Sequence, residues 1–132
     1  PRTMSITTPG ISRKVITVGC SDDDREVLVG GNRMVDYSGR GPTAACICKP
    51  DLVAPGCSVV SCSSRADKYT IKSGTSMSTP IVSGAVALLL ERFPDMSNKD
   101  VKLRLRESSV DIGLPRNQQG WGLLDVGKML ER

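Results

Sequence analysis

One stretch constrains this chain more than any other. From Ile81 to Leu90 it reads IVSGAVALLL, directly after the polar turn SGTSMSTP, Ser73 to Pro80. The periodicity predicts a helix from Met77 to Phe93 that is apolar nearly all round, and such a helix is packed on every side. The fold must therefore be layered, with this helix inside it. Gly84 in the helix interior costs about 1 kcal/mol relative to Ala, so it marks a close approach by another backbone. Phe93-Pro94 ends the segment, because a residue before proline disfavours the α region.

The flanking elements are strands before the helix and shorter helices after it. KVITVGC, Lys14 to Cys20, is a compact β-branched run ended by the acidic turn Ser21-Asp22-Asp23-Asp24. That turn lacks the ligand alternation and downstream Glu of a calcium loop. EVLVGGNRMV carries a hairpin signal at Gly30-Gly31-Asn32. YSGRGPT is a loop, and Leu52-Val53 and Val59-Val60 are short strands on either side of Pro55-Gly56. KYTIKSG alternates as a strand entering the polar turn. After Pro94, Ser97 with Asp100 forms a variant of the capping box, ahead of a helix with Val101 and Leu105 on its apolar side. QQGWGLLD reads as a glycine-hinged extended piece, and Asp125 can cap a last short helix carrying Val126, Met129 and Leu130.

Composition narrows the function. The chain has 132 residues, enough for one domain with a real core, and aromatics make up 3%. Stacking platforms for single-stranded nucleic acid are therefore not expected. The net charge of +4 is modest, and its densest basic run, Lys99, Lys102, Arg104 and Arg106, is interrupted by Asp100 and Glu107. It reads as a solvated helix face. No apolar run reaches the roughly 20 residues needed to span a bilayer, so no membrane partner is expected. PRTMSITTPG has neither a signal-peptide core nor an initiator Met, so the chain reads as part of something longer. The five cysteines lack C-x-x-C spacing and are odd in number, which favours thiols over disulfides or a thiolate metal site. Thiols suit a reducing compartment, and this gives an expectation of cytoplasmic location.

The chemistry concentrates in the polar turn. Gly74 permits a tight turn and a close substrate approach. Ser76 sits at or beside a helix N-terminus, where unpaired N–H groups and the positive dipole end favour developing negative charge. A serine attacking a carbonyl creates an oxyanion, and its own amide can help hold it. Pro80 suits a first helical turn. The same three residues GTS also fit a simple N-cap or an anion site. The sequence holds no histidine, so Ser76 has no imidazole partner in this chain.

The longer string SGTSMSTPIVSGAVALLLERFP resembles the serine segment of the subtilisin-like serine proteases, the subtilases. The resemblance continues through VITVGC, YSGRGP and KPDLVAPG upstream and GWGLLDV downstream. It implies an α/β fold: the C-terminal portion of a doubly wound, mostly parallel sheet, with a buried central helix following the nucleophile. It implies that residues 1–132 are the C-terminal part of a subtilase catalytic domain. It also implies Ser76 as nucleophile, its amide as one oxyanion donor, Thr75 and Gly74 near the oxyanion, and Lys72 and Ser73 on the leaving-group side. The triad Asp and His would come from a preceding part of a longer chain. Ile81 stands where many subtilases have a non-catalytic His.

On that resemblance the activity is serine-type endopeptidase, the substrate a protein or peptide, and the partner the remainder of the catalytic domain. No cofactor is expected: calcium is not evident in this chain and is left open only for a longer parent. The chain alone should be inactive and prone to self-association. A non-catalytic subtilase-like module and a cysteine-based metal module are the alternatives.

Overall fold

Two short apolar strands give the sheet its parallel centre. The computed structural model describes residues 3–22, 33–34, 38–65 and 68–131. Strands β1 (Val18–Asp22), β2 (Arg33–Met34) and β3 (Leu52–Pro55) form one sheet in the order β2-β1-β3. β1 runs parallel to β3, with Val18 opposite Leu52 and Cys20 opposite Ala54, and antiparallel to β2. A parallel bridge from Val53 to Leu123 extends the sheet. The chain reaches Leu123 from β3 only after two long helices, so this is a parallel crossover with helical packing. The expected hairpin turn at Gly30-Gly31-Asn32 and the acids Asp23 and Asp24 lie outside the described residues.

β1 begins later and ends later than its β-branched run implies. The reason lies in which groups take its backbone. Asp51 Oδ2 accepts from the Thr17 N–H at 2.8 Å, and Lys49 Nζ donates to the Val15 carbonyl at 3.0 Å. Side chains thus occupy the start of the run, and the ladder forms from Val18 into the acidic stretch.

A separate antiparallel hairpin, β4 (Val59–Cys62) and β5 (Tyr69–Lys72), leads into helix α1 (Thr75–Arg92). α1 lies on β1 and β3. Ser78, Val82, Ala85 and Leu89, spaced four, three and four apart, make its buried stripe. With Leu52, Ala54, Val101, Leu105 and Met129, the apolar members of the stripe build the core. Fully burying a Leu-sized side chain contributes about 1.5–3 kcal/mol, and Leu52, Leu89 and Leu105 each have 0% exposure.

The all-round packing expected for α1 is corrected within this chain. Leu88 is 48% exposed and Leu90 37%. A Cβ placed on Gly84 would meet nothing within 4 Å, so the close backbone approach expected there is not made. Periodicity says that a surface wants cover; it does not say which chain segment supplies it.

Helices α2 (Asn98–Ser108), α3 (Arg116–Gln119) and α4 (Val126–Leu130) complete the structure. The Ser97 cap holds as expected: Asp100 N donates to Ser97 Oγ at 3.3 Å and Ser97 N donates to Asp100 Oδ2 at 2.9 Å. The Ser97 hydroxyl, and then its N–H, hold the Asp100 carboxyl below its usual range. Asp125 caps α4 through Lys128 N at 3.0 Å. Two expectations change. Gln118 and Gln119 belong to α3 rather than to an extended piece. The basic run is not wholly solvated: Lys102 donates to the Arg13 carbonyl at 2.8 Å, and Arg104 donates to the carbonyls of Met129 and Glu131. Among the described residues, no helix is long and apolar enough to cross a membrane.

Candidate active site

The polar turn is built around Gly74, whose backbone sits at φ 151° and ψ 162° as the N-cap of α1. That region is essentially open to glycine alone. Gly74 N donates to the Gly56 carbonyl at 2.8 Å, and the Met77 and Ser78 amides turn back to the Gly74 carbonyl at 2.8 and 3.4 Å. The first two helical amides, those of Thr75 and Ser76, are the ones that α1 itself leaves without an acceptor. No side chain caps this end, and no acid lies in the first turn. The positive end of an 18-residue helix therefore faces outward beside Ser76.

Ser76 is the second residue of α1 and is exposed, while Ser78 is fully buried. The capping alternative for Ser76 does not hold, since Gly74 takes the N-cap position without a side-chain bond. Ser73 is tied to the hairpin: its Oγ accepts from Ser58 N at 2.8 Å. The Thr75 carbonyl accepts from Thr79 Oγ1 at 2.9 Å. Pro80 is not in the first turn. It lies inside α1 and has no N–H to give the Ser76 carbonyl four residues back.

Thr75, Ser76 and Thr79 form one wall of a cavity of about 550 Å³. The rest is lined by residues 5–10, residues 15–18 and Gly39. Every lining residue is uncharged, and none is an acid, a histidine or another candidate base. Thr17 Oγ1 donates to the Gly10 carbonyl at 2.6 Å, and Arg40 N donates to Ser5 Oγ at 2.8 Å. These bonds fix the two loops against each other.

Two residues that the sequence reading passed over hold the serine turn in place. Ser78 Oγ donates to the Ala54 carbonyl at 2.9 Å, pinning the first turn of α1 to β3. Gly56 lets this happen: a Cβ there would lie 2.2 Å from Ser78 Oγ, 2.5 Å from Cys20 Sγ and 2.8 Å from the Gly74 carbonyl. The signal available beforehand was the glycine after Pro55 at a strand end. Gly56→Ala should lower stability by about 1–3 kcal/mol, as overpacking does. A denaturant midpoint equal to that of the unsubstituted protein would show that the turn gives way freely.

No disulfide joins any of the five cysteines. Among the described residues, no group of three or more His, Cys, Asp or Glu side chains converges on a common point.

The chain is similar to proteins much longer than itself. Serine protease AprX of Bacillus subtilis is 38% identical over 83% of this chain and 28% of that protein. The halolysin-like extracellular serine protease Nep of Natrialba magadii is 32% identical over 92% of this chain and 20% of that protein. The solved structure of the Clostridium perfringens CspB protease superposes with a TM-score of 0.84 at 28% identity, covering 97% of this chain and 28% of that one. The chain spans less than a third of each relative's length.

The cytoplasmic expectation is corrected by the similarity to Nep, an extracellular serine protease. A cysteine count does not by itself report a compartment: Cys20 is buried in the fold, while Cys46, Cys48 and Cys62 are on the surface. The parallel β1–β3 pair, the helix that follows the serine turn and the match of residues 1–122 to the Peptidase_S8 profile together establish that this chain belongs to the Subtilase family.

Proposed function

We propose that the chain is the serine-bearing part of a longer serine endopeptidase that hydrolyses peptide bonds through an acyl-enzyme on Ser76. The observation that carries this reading is the exposed, uncapped Ser76 at a helix N-terminus, on the wall of a 550 Å³ cavity. Ser76 Oγ attacks the scissile carbonyl, its proton passes to a base, and the same proton leaves on the departing amine. Water then hydrolyses the ester. The Ser76 amide lies where the oxyanion forms, and Thr75 and Gly74 border it. No residue of the chain supplies the base, so an Asp and a His from the rest of a longer protein complete the triad. The uncharged cavity lining suits an uncharged substrate side chain.

The remainder of the catalytic domain is the partner that covers α1. Leu88 and Leu90 stand exposed on the two flanks of its buried stripe, and a hollow of about 250 Å³ lined by Ile16, Val18, Thr79, Val82, Ser83 and Val86 opens along it. Left uncovered, these apolar surfaces draw copies of the chain together.

A fluorophosphonate probe, which labels only an activated serine, tests the assignment. In the full-length protein it should modify Ser76, located by peptide mass spectrometry. The 132-residue chain alone should stay unlabelled and scatter light as a species larger than 14.1 kDa. Labelling of the isolated chain at the full-length rate, or labelling elsewhere in the full-length protein, would remove Ser76 from its role.

A further inference from the structure

A tight loop between β2 and β3, residues 41–49, carries two exposed thiols two positions apart. Thr43 N donates to the Ile47 carbonyl at 2.9 Å, and farther from the tip Gly41 N donates to the Lys49 carbonyl at 2.8 Å. Cys46 N turns back to the Thr43 carbonyl at 2.9 Å, so residues 43–46 make the turn. Cys46 closes it at φ 56°, a left-handed position that glycine or asparagine fills at lower cost. A thiol stands there instead, and Cys48 follows it. The other three cysteines lie elsewhere, Cys20 in β1 and Cys57 and Cys62 in or beside β4. Residues two apart have Cα atoms separated by at most about 7 Å, and a disulfide spans roughly 4.4–6.8 Å between Cα atoms. The spacing thus permits closure within the loop.

The same loop is tied to the cavity beside Ser76. Cys48 Sγ donates to the Arg116 carbonyl at 3.3 Å. The next residue of α3, Asn117, accepts from Gly41 N at 3.0 Å, and its Nδ2 donates to the Gly41 carbonyl at 3.3 Å. The start of α3 thus holds both arms of the loop. A Cβ on Gly41 would lie 2.4 Å from the Lys49 carbonyl oxygen, so the two arms have no slack between them. From Gly41 the chain passes back to Arg40, whose carbonyl accepts from Ser5 N at 2.9 Å. Ser5 and Gly39 both line the cavity. A change at the Cys48 arm is therefore carried to the cavity wall through consecutive hydrogen-bonded residues.

We propose that Cys46 and Cys48 are a reversible dithiol, closed to a disulfide by low-molecular-weight disulfides, and that closure loosens the cavity wall. The second half rests on the assignment of Ser76. The Cys46 thiolate attacks one sulfur of the small disulfide, whose S–S bond breaks and releases one small thiolate. The Cys48 thiolate then attacks the Cys46 sulfur, forms the new S–S bond and expels the second small thiolate. The two small thiolates take up the protons that the cysteines lose, so the small disulfide is reduced as the pair is oxidised. Closure removes the Cys48 proton, and with it the hydrogen bond to the Arg116 carbonyl. The cavity holds a substrate side chain alike in ground and transition state, so a looser wall appears in KM and not in kcat.

The test uses the full-length protein, first reduced and then held in oxidised glutathione. Remaining thiols are capped with N-ethylmaleimide, and the peptide spanning Cys46 and Cys48 is weighed by mass spectrometry. It should be lighter than the reduced peptide by two hydrogen atoms and carry no maleimide. For an internally quenched peptide substrate, KM should rise about twofold to tenfold with kcat held, the range for losing one neutral hydrogen bond. Dithiothreitol should reverse the rise. The double substitution Cys46→Ser with Cys48→Ser keeps a hydroxyl donor for the Arg116 carbonyl, so its KM should match the reduced protein and ignore the oxidant. Cys48→Ala removes the donor and should show the raised KM with no oxidant present. A peptide that takes two maleimides or two glutathiones, or Cys48 joined to Cys57 or Cys62, overturns the dithiol. A closed disulfide with unchanged KM overturns the link to the cavity. Fluorophosphonate labelling of the reduced protein keeps the readings apart: if Ser76 stays unlabelled, its assignment falls and takes the cavity link with it, while the peptide mass still decides the dithiol.

Discussion

Ser76→Ala in the full-length protein is expected to abolish peptide hydrolysis while leaving its melting temperature nearly unchanged. In subtilisin, a member of the same family, loss of the serine nucleophile lowers kcat by about 2 × 10⁶, and that figure is borrowed from the relative. The expectation of unchanged stability comes from this chain. Gly74 occupies the N-cap, no side chain caps the helix, and Ser76 is exposed. Exposed substitutions away from such features usually stay within about 0.5 kcal/mol, and alanine is the best helix former. A hydrolysis assay beside a thermal melt separates the roles. If the variant keeps its activity and melts several degrees lower, the hydroxyl is structural and the acyl-enzyme reading fails.

The serine turn could be read from the sequence because its causes are local. A glycine at a φ that only glycine tolerates, a hydroxyl two residues on and an apolar helix behind them are all consecutive. The caps were legible for the same reason: Ser97 with Asp100, and Asp125 with Lys128, span three residues each. Features set by distant segments were not. The start of β1 moved because Lys49 and Asp51, more than 30 residues on, take its backbone groups. Gly56 and Ser78 meet only once β3 and α1 are stacked. The one-sided burial of α1 followed from what the rest of this chain covers, which hydrophobic pattern does not encode. The cavity beside Ser76 draws on residues 5–10, whose polar and proline-containing sequence carries no periodic signal.

Asp51→Asn should destabilise the fold by about 3–5 kcal/mol, the range for breaking one partner of a buried ion pair. Lys49 Nζ lies 2.6 Å from Asp51 Oδ2, with the two side chains 1% and 8% exposed, and Lys102 Nζ lies 3.5 Å from Oδ1. Asp51 also accepts from Thr17 N, so one carboxylate joins the approach to β1, the start of β3 and the side of α2. The substitution keeps the shape and an acceptor oxygen, but removes the counter-charge from the buried Lys49 ammonium, which then has only neutral acceptors such as the Val15 carbonyl. The loss should appear as a lower urea midpoint with an unchanged slope. The paired change Lys49→Met with Asp51→Leu removes both charges and keeps the volume, and it should cost far less than the single substitution. A double variant as unstable as Asp51→Asn would mean that the hydrogen bond to Thr17, not the ion pair, holds these three elements together. A single variant with the unsubstituted midpoint would mean that Lys49 reaches water when its partner is lost. The pair lies at the foot of β3, the strand to which Ser78 pins the serine turn. Its loss should therefore also weaken labelling of Ser76 under conditions where the fold is still populated, linking the stability of this buried charge to the placement of the hydroxyl.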